Sequence, residues 1–123
     1  MIKTNNELPE LTQVIVEALQ DKKALDISVI DLRSLKSAVA DFFVICTGNS
    51  APQVHALYEN VDRFVKTKLH EDPIGVEGRE NMEWVLLDYY DVVVHIFKPE
   101  TREFFKLEKL WSDAKITTFE NLN

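Results

Sequence analysis

Between Met82 and Phe97 the chain reads MEWVLLDYYDVVVHIF. Two runs rich in aliphatic, β-branched and aromatic residues are separated by a very short connection, which leaves them little choice but to pair as an antiparallel hairpin. With Tyr89 and Tyr90 as a two-residue loop, Asp88 faces Asp91, Leu87 faces Val92, Leu86 faces Val93, Val85 faces Val94 and Trp84 faces His95. Successive side chains point to opposite sides of a strand. Val85, Leu87, Val92 and Val94 therefore form a purely aliphatic face suited to lie under helices, and Trp84, Leu86, Val93 and His95 form a mixed face with the two aspartates at its end.

The other segments supply the helices and the remaining strands. Leu8, Leu11, Ile15, Ala18 and Leu19 recur at helical spacing, with Asn6 or Glu7 ahead of Pro9 at the start and Lys22 and Lys23 at the end. Ile27–Leu32 has strand composition, and RSLKSAVAD after it has no period and reads as a loop. Phe42–Thr47, FFVICT, is continuously apolar, as expected of a strand covered on both faces. Gly48-Asn49-Ser50 then turns into a helix that Ser50 caps and Pro52 tolerates, running from Val54 through Leu57, Val61 and Val65 to about His70. Ile74–Val76 is a short strand candidate, and Phe104, Leu107, Leu110 and Trp111 mark a last helix that Thr101 caps. The expected class is α/β (α+β), a single mixed sheet of about five strands flanked by helices in one domain over residues 1–114, with a polar tail at 115–123.

Composition narrows the function classes. A net charge of −7 disfavours broad attachment to phosphate backbones and favours a basic protein partner. The counter-possibility is a local basic patch of Arg33, Lys36, Lys66 and Lys68. No apolar run approaches the roughly 20 residues that span a bilayer, and the polar start lacks a secretory pattern, so a cytosolic protein without membrane attachment is expected. Cys46 is the single cysteine, which rules out an internal disulfide; inside FFVICT it reads as a buried hydrophobe rather than a reactive thiol.

Three features admit more than one explanation. An aspartate at each end of the hairpin turn can cap backbone groups locally or meet an outside cation. Trp84 beside His95 can be core, satisfied through its indole N–H, or the anchor of an interface. Gly48–Ser50 can bind an anion or simply cap the helix.

Three motifs together resemble one family. Ala40–Ser50, ADFFVICTGNS, looks like the ADYFVI-type strand and TG-x-S turn of the ribosomal silencing factor family, the Iojap-like proteins. Gly78–Asp91 is similar to that family's EG…W-V-L-x-D-x-G-D pattern, followed by the V-V-V-H of Val92–His95, and Arg102–Ala114 resembles its R-x-[FY]-Y-x-L-E-x-L-W ending. The likeness runs from about Leu8 to Ala114 in the family's order and spacing. It implies a nucleotidyltransferase-like fold without catalytic acids, no cofactor, and homodimers. It further implies a translational repressor that binds ribosomal protein fourteen of the large ribosomal subunit, blocking small-subunit joining when nutrients are short. Carried over by position, the expected partner-binding residues are Trp84, Leu86, Asp88, Asp91 and His95, with Trp84 the apolar anchor and the aspartates meeting basic groups. One departure is Tyr90, where the family commonly has Gly; a Tyr resists the positive φ that a two-residue turn wants.

The alternative, a nucleotide-binding or nucleotidyltransferase-like enzyme, needs a Gly-Ser turn and alternating acids that hold metal ions. Gly48 and Ser50 imitate the turn, but Glu83 and Asp88 are five apart and fall on opposite faces of a strand, and Val92–Phe97 carries no acid. His55, His70 and His95 have no nucleophile placed beside them by sequence. No catalytic residue and no metal ligand is expected.

Overall fold

The computed structural model describes residues 8–35 and 38–122. Its elements are α1 (Glu10–Asp21), β1 (Leu25–Asp31), β2 (Phe42–Thr47), α2 (Ala51–Leu69), β3 (Gly75–Glu77), β4 (Trp84–Asp88), β5 (Val92–Phe97), α3 (Pro99–Phe105), α4 (Leu107–Leu110) and β6 (Lys115–Thr118). The strands form one mixed sheet in the order β3-β4-β5-β2-β1-β6. Only the central pair β2–β5 is parallel, because α2 carries the chain over the sheet between them.

The two central strands are buried along their whole length, as the apolar runs FFVICT and VVVHIF require when both sheet faces are covered. On one face α1 and α2 cover Val29, Val44, Cys46, Val85, Leu87, Val94 and Ile96. Ser50 caps α2 by accepting from the Gln53 N–H (3.2 Å), and His70 closes it in the left-handed conformation with its N–H on the Lys66 carbonyl. Burial pushes the Cys46 thiol up to about 12, consistent with an inert core residue. On the other face Ile30, Phe43, Ile45, Val93 and Phe97 are covered by Leu107, Trp111 and Leu35, with Trp84 and Leu86 at the margin. Neither α3 nor α4 contributes a buried residue, so this second cover is thin.

Several expectations are corrected. The expected mixed sheet of about five strands is present, with six among the described residues, but Lys115–Thr118, expected to lie in a tail, pairs antiparallel with β1. Phe119 then buries against the helix side and donates its N–H to Ile27, which ties the segment down. The last helix starts at Pro99 with Lys98 at its cap position instead of Thr101, and Lys106 in the left-handed region divides it into α3 and α4. Pro9 itself occupies the cap position of α1; Asn6 and Glu7 lie outside the described residues.

The hairpin register also differs. Trp84 pairs with Phe97, Leu86 with His95 and Asp88 with Val93, a slide of two residues from the expected pairing. Tyr89 is the cause. Its side chain is buried against the helix side, so it continues the inward alternation of Val85 and Leu87 and moves the turn on to Tyr90 and Asp91. The Tyr89 N–H donates to the Val92 carbonyl and the Asp91 N–H to the Tyr89 carbonyl, both at 2.9 Å. A slide of two preserves which side chains share a face, whereas a slide of one would have exchanged them.

Candidate functional site

Strand β4 is only partly covered on its second face. Its burial alternates: Val85 and Leu87 are fully buried under the helices, whereas Trp84, Leu86 and Asp88 are half-exposed on the opposite side. These three candidates form a stripe along one strand, about 13 Å long at the usual rise per residue. At one end the Trp84 ring lies between Phe97 (4.8 Å between centroids) and Phe105 (4.7 Å). At the other, Asp88 Oδ1 accepts from the Tyr90 N–H at 2.8 Å, which is the local capping role of a turn aspartate. Asp91 is exposed, and its carbonyl accepts from the Asp41 and Phe42 N–H groups (2.8 and 3.1 Å).

His95 sits differently from the other four. It is only 4% exposed, centred on the second face between Leu86 of β4 and Ile45 of β2. The Trp84 indole N–H donates to His95 Nδ1 at 3.0 Å. An indole can only donate, so Nδ1 carries the lone pair and the proton resides on Nε2. That buried Nε2 has no acceptor among the described residues; the Phe43 ring lies 4.6 Å away in an edge arrangement. Burial pulls the imidazole down to about 4, so it is neutral at physiological pH. His95 thus orients Trp84 from beneath and presents almost no surface of its own.

Arg102, which in the sequence stands out only as the first residue of the C-terminal motif, lies six residues ahead of Glu108. Its guanidinium donates from Nη2 (2.5 Å) and Nε (3.2 Å) to one Glu108 oxygen, Oε2, and Nη1 donates to the Asp26 carbonyl (2.7 Å) and Thr47 Oγ1 (2.8 Å). Asp26 lies where the β1–β2 register shifts, with φ at +51°. One side chain therefore fastens the thin α3–α4 cover to the sheet, and with it Phe105 against Trp84 and Trp111 against Phe43.

Three N–H groups in and just after the turn that follows β2 are occupied. Gly48 donates to the Phe97 carbonyl, Asn49 to Gln53 Oε1 and Gln53 to Ser50 Oγ. A cavity of about 640 Å³ beside it is lined by Thr47, Asn49, Arg102, Lys106 and Lys109, but also by Asp26, Glu103 and Glu108. The turn works as a helix cap. The suggested basic patch does not form an unpaired surface either: Arg33 pairs with Asp31, Lys66 with Asp72 and Lys68 with Glu17, and Lys36 is outside the described residues. No cluster of potential metal ligands occurs among the described residues.

Comparison with known proteins decides the family. Residues 5–123 match the model of the family described as ribosomal silencing factor during starvation. The chain belongs to the ribosomal silencing factor family. It is 40% identical over 113 residues to the ribosomal silencing factor of Halalkalibacterium halodurans, covering 92% of this chain and 95% of that one. It is 35% identical over 101 residues to the mouse protein named mitochondrial assembly of ribosomal large subunit protein 1, covering 80% of this chain and 44% of that one. A crystal structure of a Chromobacterium violaceum protein matches with a TM-score of 0.79 and 39% identity, covering 84% of each chain. The ribosomal silencing factor family is regulatory rather than enzymatic. Among the described residues no helix is long and apolar enough to cross a membrane.

Proposed function

We propose that the chain represses translation by docking on the large ribosomal subunit, through ribosomal protein fourteen, so that the small subunit cannot join. The carrying observation is the alternation of β4, which leaves Trp84, Leu86 and Asp88 half-open on a sheet whose central strands are wholly buried. A half-exposed tryptophan packed between Phe97 and Phe105 is rigid before any partner arrives, which lowers the entropy cost of association. Proteins seated on ribosomal RNA carry basic surface, and this chain has a net charge of −7 with Asp88 and Asp91 at the end of the stripe. The name of the mouse relative also refers to the large ribosomal subunit.

Co-sedimentation with purified large subunits tests the proposal. Leu86→Lys places a cation in the middle of the stripe at a half-exposed position, so it should keep the fold and lose binding. Retained binding by a folded Leu86→Lys would move the docking surface off β4. Blocking of subunit joining is measured separately, as the loss of joined ribosomes when the chain is added to the two subunits. Family resemblance supports homodimers as well. Phe104 and Leu110, exposed on α3 and α4, are apolar residues off the stripe available to a second copy, and sedimentation equilibrium of Phe104→Ser against the unaltered chain measures their part in it.

A further inference from the structure

Three of the most exposed large apolar side chains, Val39 (85%), Ile74 (70%) and Tyr90 (73%), belong to segments that converge on one end of the sheet. Backbone bonds bring them there. The Asp41 and Phe42 N–H groups reach the Asp91 carbonyl, the Ile74 N–H reaches the Asp88 carbonyl at 2.7 Å, and the Tyr90 N–H reaches the Asp88 side chain. Acids surround this end. Asp41, Glu71, Asp88 and Asp91 have no salt-bridge partner among the described residues. Glu71 and Asp72, with Asp62, also stand close enough to Tyr89 to hold its phenol above the usual range, after burial, which is the larger cause.

Tyr90 is the unusual member. Its φ is +75°, the left-handed region where glycine sits without cost and an aromatic residue does not. The hairpin turn uses this backbone conformation, but the side chain that bears its cost brings the fold nothing visible: the ring is exposed, and its hydroxyl makes no hydrogen bond among the described residues. A strained backbone that presents an unpacked aromatic side chain to solvent suits a contact made outside the chain.

We infer that Tyr90, flanked by Ile74 and Val39, is an anchor onto which a cationic protein surface docks, extending the stripe of Trp84, Leu86 and Asp88 to the end of the sheet. The inference rests on the docking function proposed above and adds the chemistry of the contact. The acidic rim repels phosphate and attracts Lys or Arg, and the open tyrosine face accepts such a cation directly. The occupant is accordingly a Lys- or Arg-bearing surface of the large-subunit protein and not ribosomal RNA.

The test is Tyr90→Gly, for which folding and binding should move in opposite directions. Relief of the positive φ should raise Tm by about 2–4 °C. Loss of the anchor should weaken binding to purified large subunits at least tenfold. Asp91→Asn should flatten the dependence of affinity on salt. A Tyr90→Gly chain that melts higher and binds as tightly as the unaltered one overturns the inference, because the strain would then serve no contact. If Tyr90→Gly melts early, Tyr90→Asn, whose side chain tolerates the same backbone, decides by its affinity alone: unchanged binding overturns the inference and tenfold loss supports it. If the unaltered chain does not sediment with the subunits, the proposed function fails first and takes the inference with it.

Discussion

Strand β4 has two sides that differ by one residue in sequence and by almost everything else in environment. Val85 and Leu87 are sealed under α1 and α2, whereas Trp84, Leu86 and Asp88 look out on the margin of a thin cover made by α3 and α4. The helix side is held by continuous aliphatic packing. The other side is held by a smaller cluster, in which a few rings and one guanidinium join Leu35 and Leu107. The contrast teaches that tight packing and partial exposure can be assigned to opposite faces of a single strand, and it can be broken experimentally in order of effect.

The largest effect should come from Leu87→Ala, which opens a cavity on the sealed side; a loss of about 3–5 kcal/mol in denaturant unfolding is expected, with no specific change in binding per folded molecule. If Leu87→Ala is tolerated at under about 1 kcal/mol, the sealed side is not the stabilising one. Next is Arg102→Ala, which leaves the partly buried Glu108 carboxylate and Thr47 without their shared donor. About 2–3 kcal/mol should be lost. Hydrogen exchange should rise in residues 99–111 and at Trp84, while α1 and α2 keep their protection.

His95 gives a pH-dependent test of the open side. Its folded-state value of about 4 lies below the ordinary 6.5, so the unfolded chain binds a proton more readily than the folded one. Stability attributable to neutral His95 is complete above pH 6.5 and falls by roughly 1.4 kcal/mol per pH unit between there and about pH 4. His95→Leu should remove that slope from the stability profile, and a slope unchanged in the variant would place the titration elsewhere. The smallest effect is that of Asp88→Ala. Loss of its bond to the Tyr90 N–H should cost about 0.5–1 kcal/mol in the unfolding midpoint, because the group is half-exposed and water replaces it.

Much of this was legible from residue order. The β-runs, the helices over 10–21 and 51–69 and the two unlike faces of the hairpin follow from periodicity, and the faces survived an error of two residues in register because strand alternation has period two. The common face of Trp84, Leu86 and Asp88 was legible too, and the aspartate's cap of the turn was among the stated alternatives. The depth of His95 was not legible, since burial depends on what Phe43, Trp84 and Phe97 bring from three different strands. Nor was β6: Lys115–Thr118 is polar and short, and becomes a strand only because β1 offers it an open edge.

The sequence by itself determined a mixed sheet with one aliphatic side, a net charge of −7, and the motifs that place it in its family. Those are properties of neighbours in the chain, where alternation and composition act directly. Only the tertiary structure decided the register, the burial of His95 beneath Trp84, the Arg102 fastening of α3 and α4, and the gathering of Val39, Ile74 and Tyr90 at one end of the sheet. Each of these depends on contacts between residues far apart in sequence, whose energies exist only once the packing that creates them is complete.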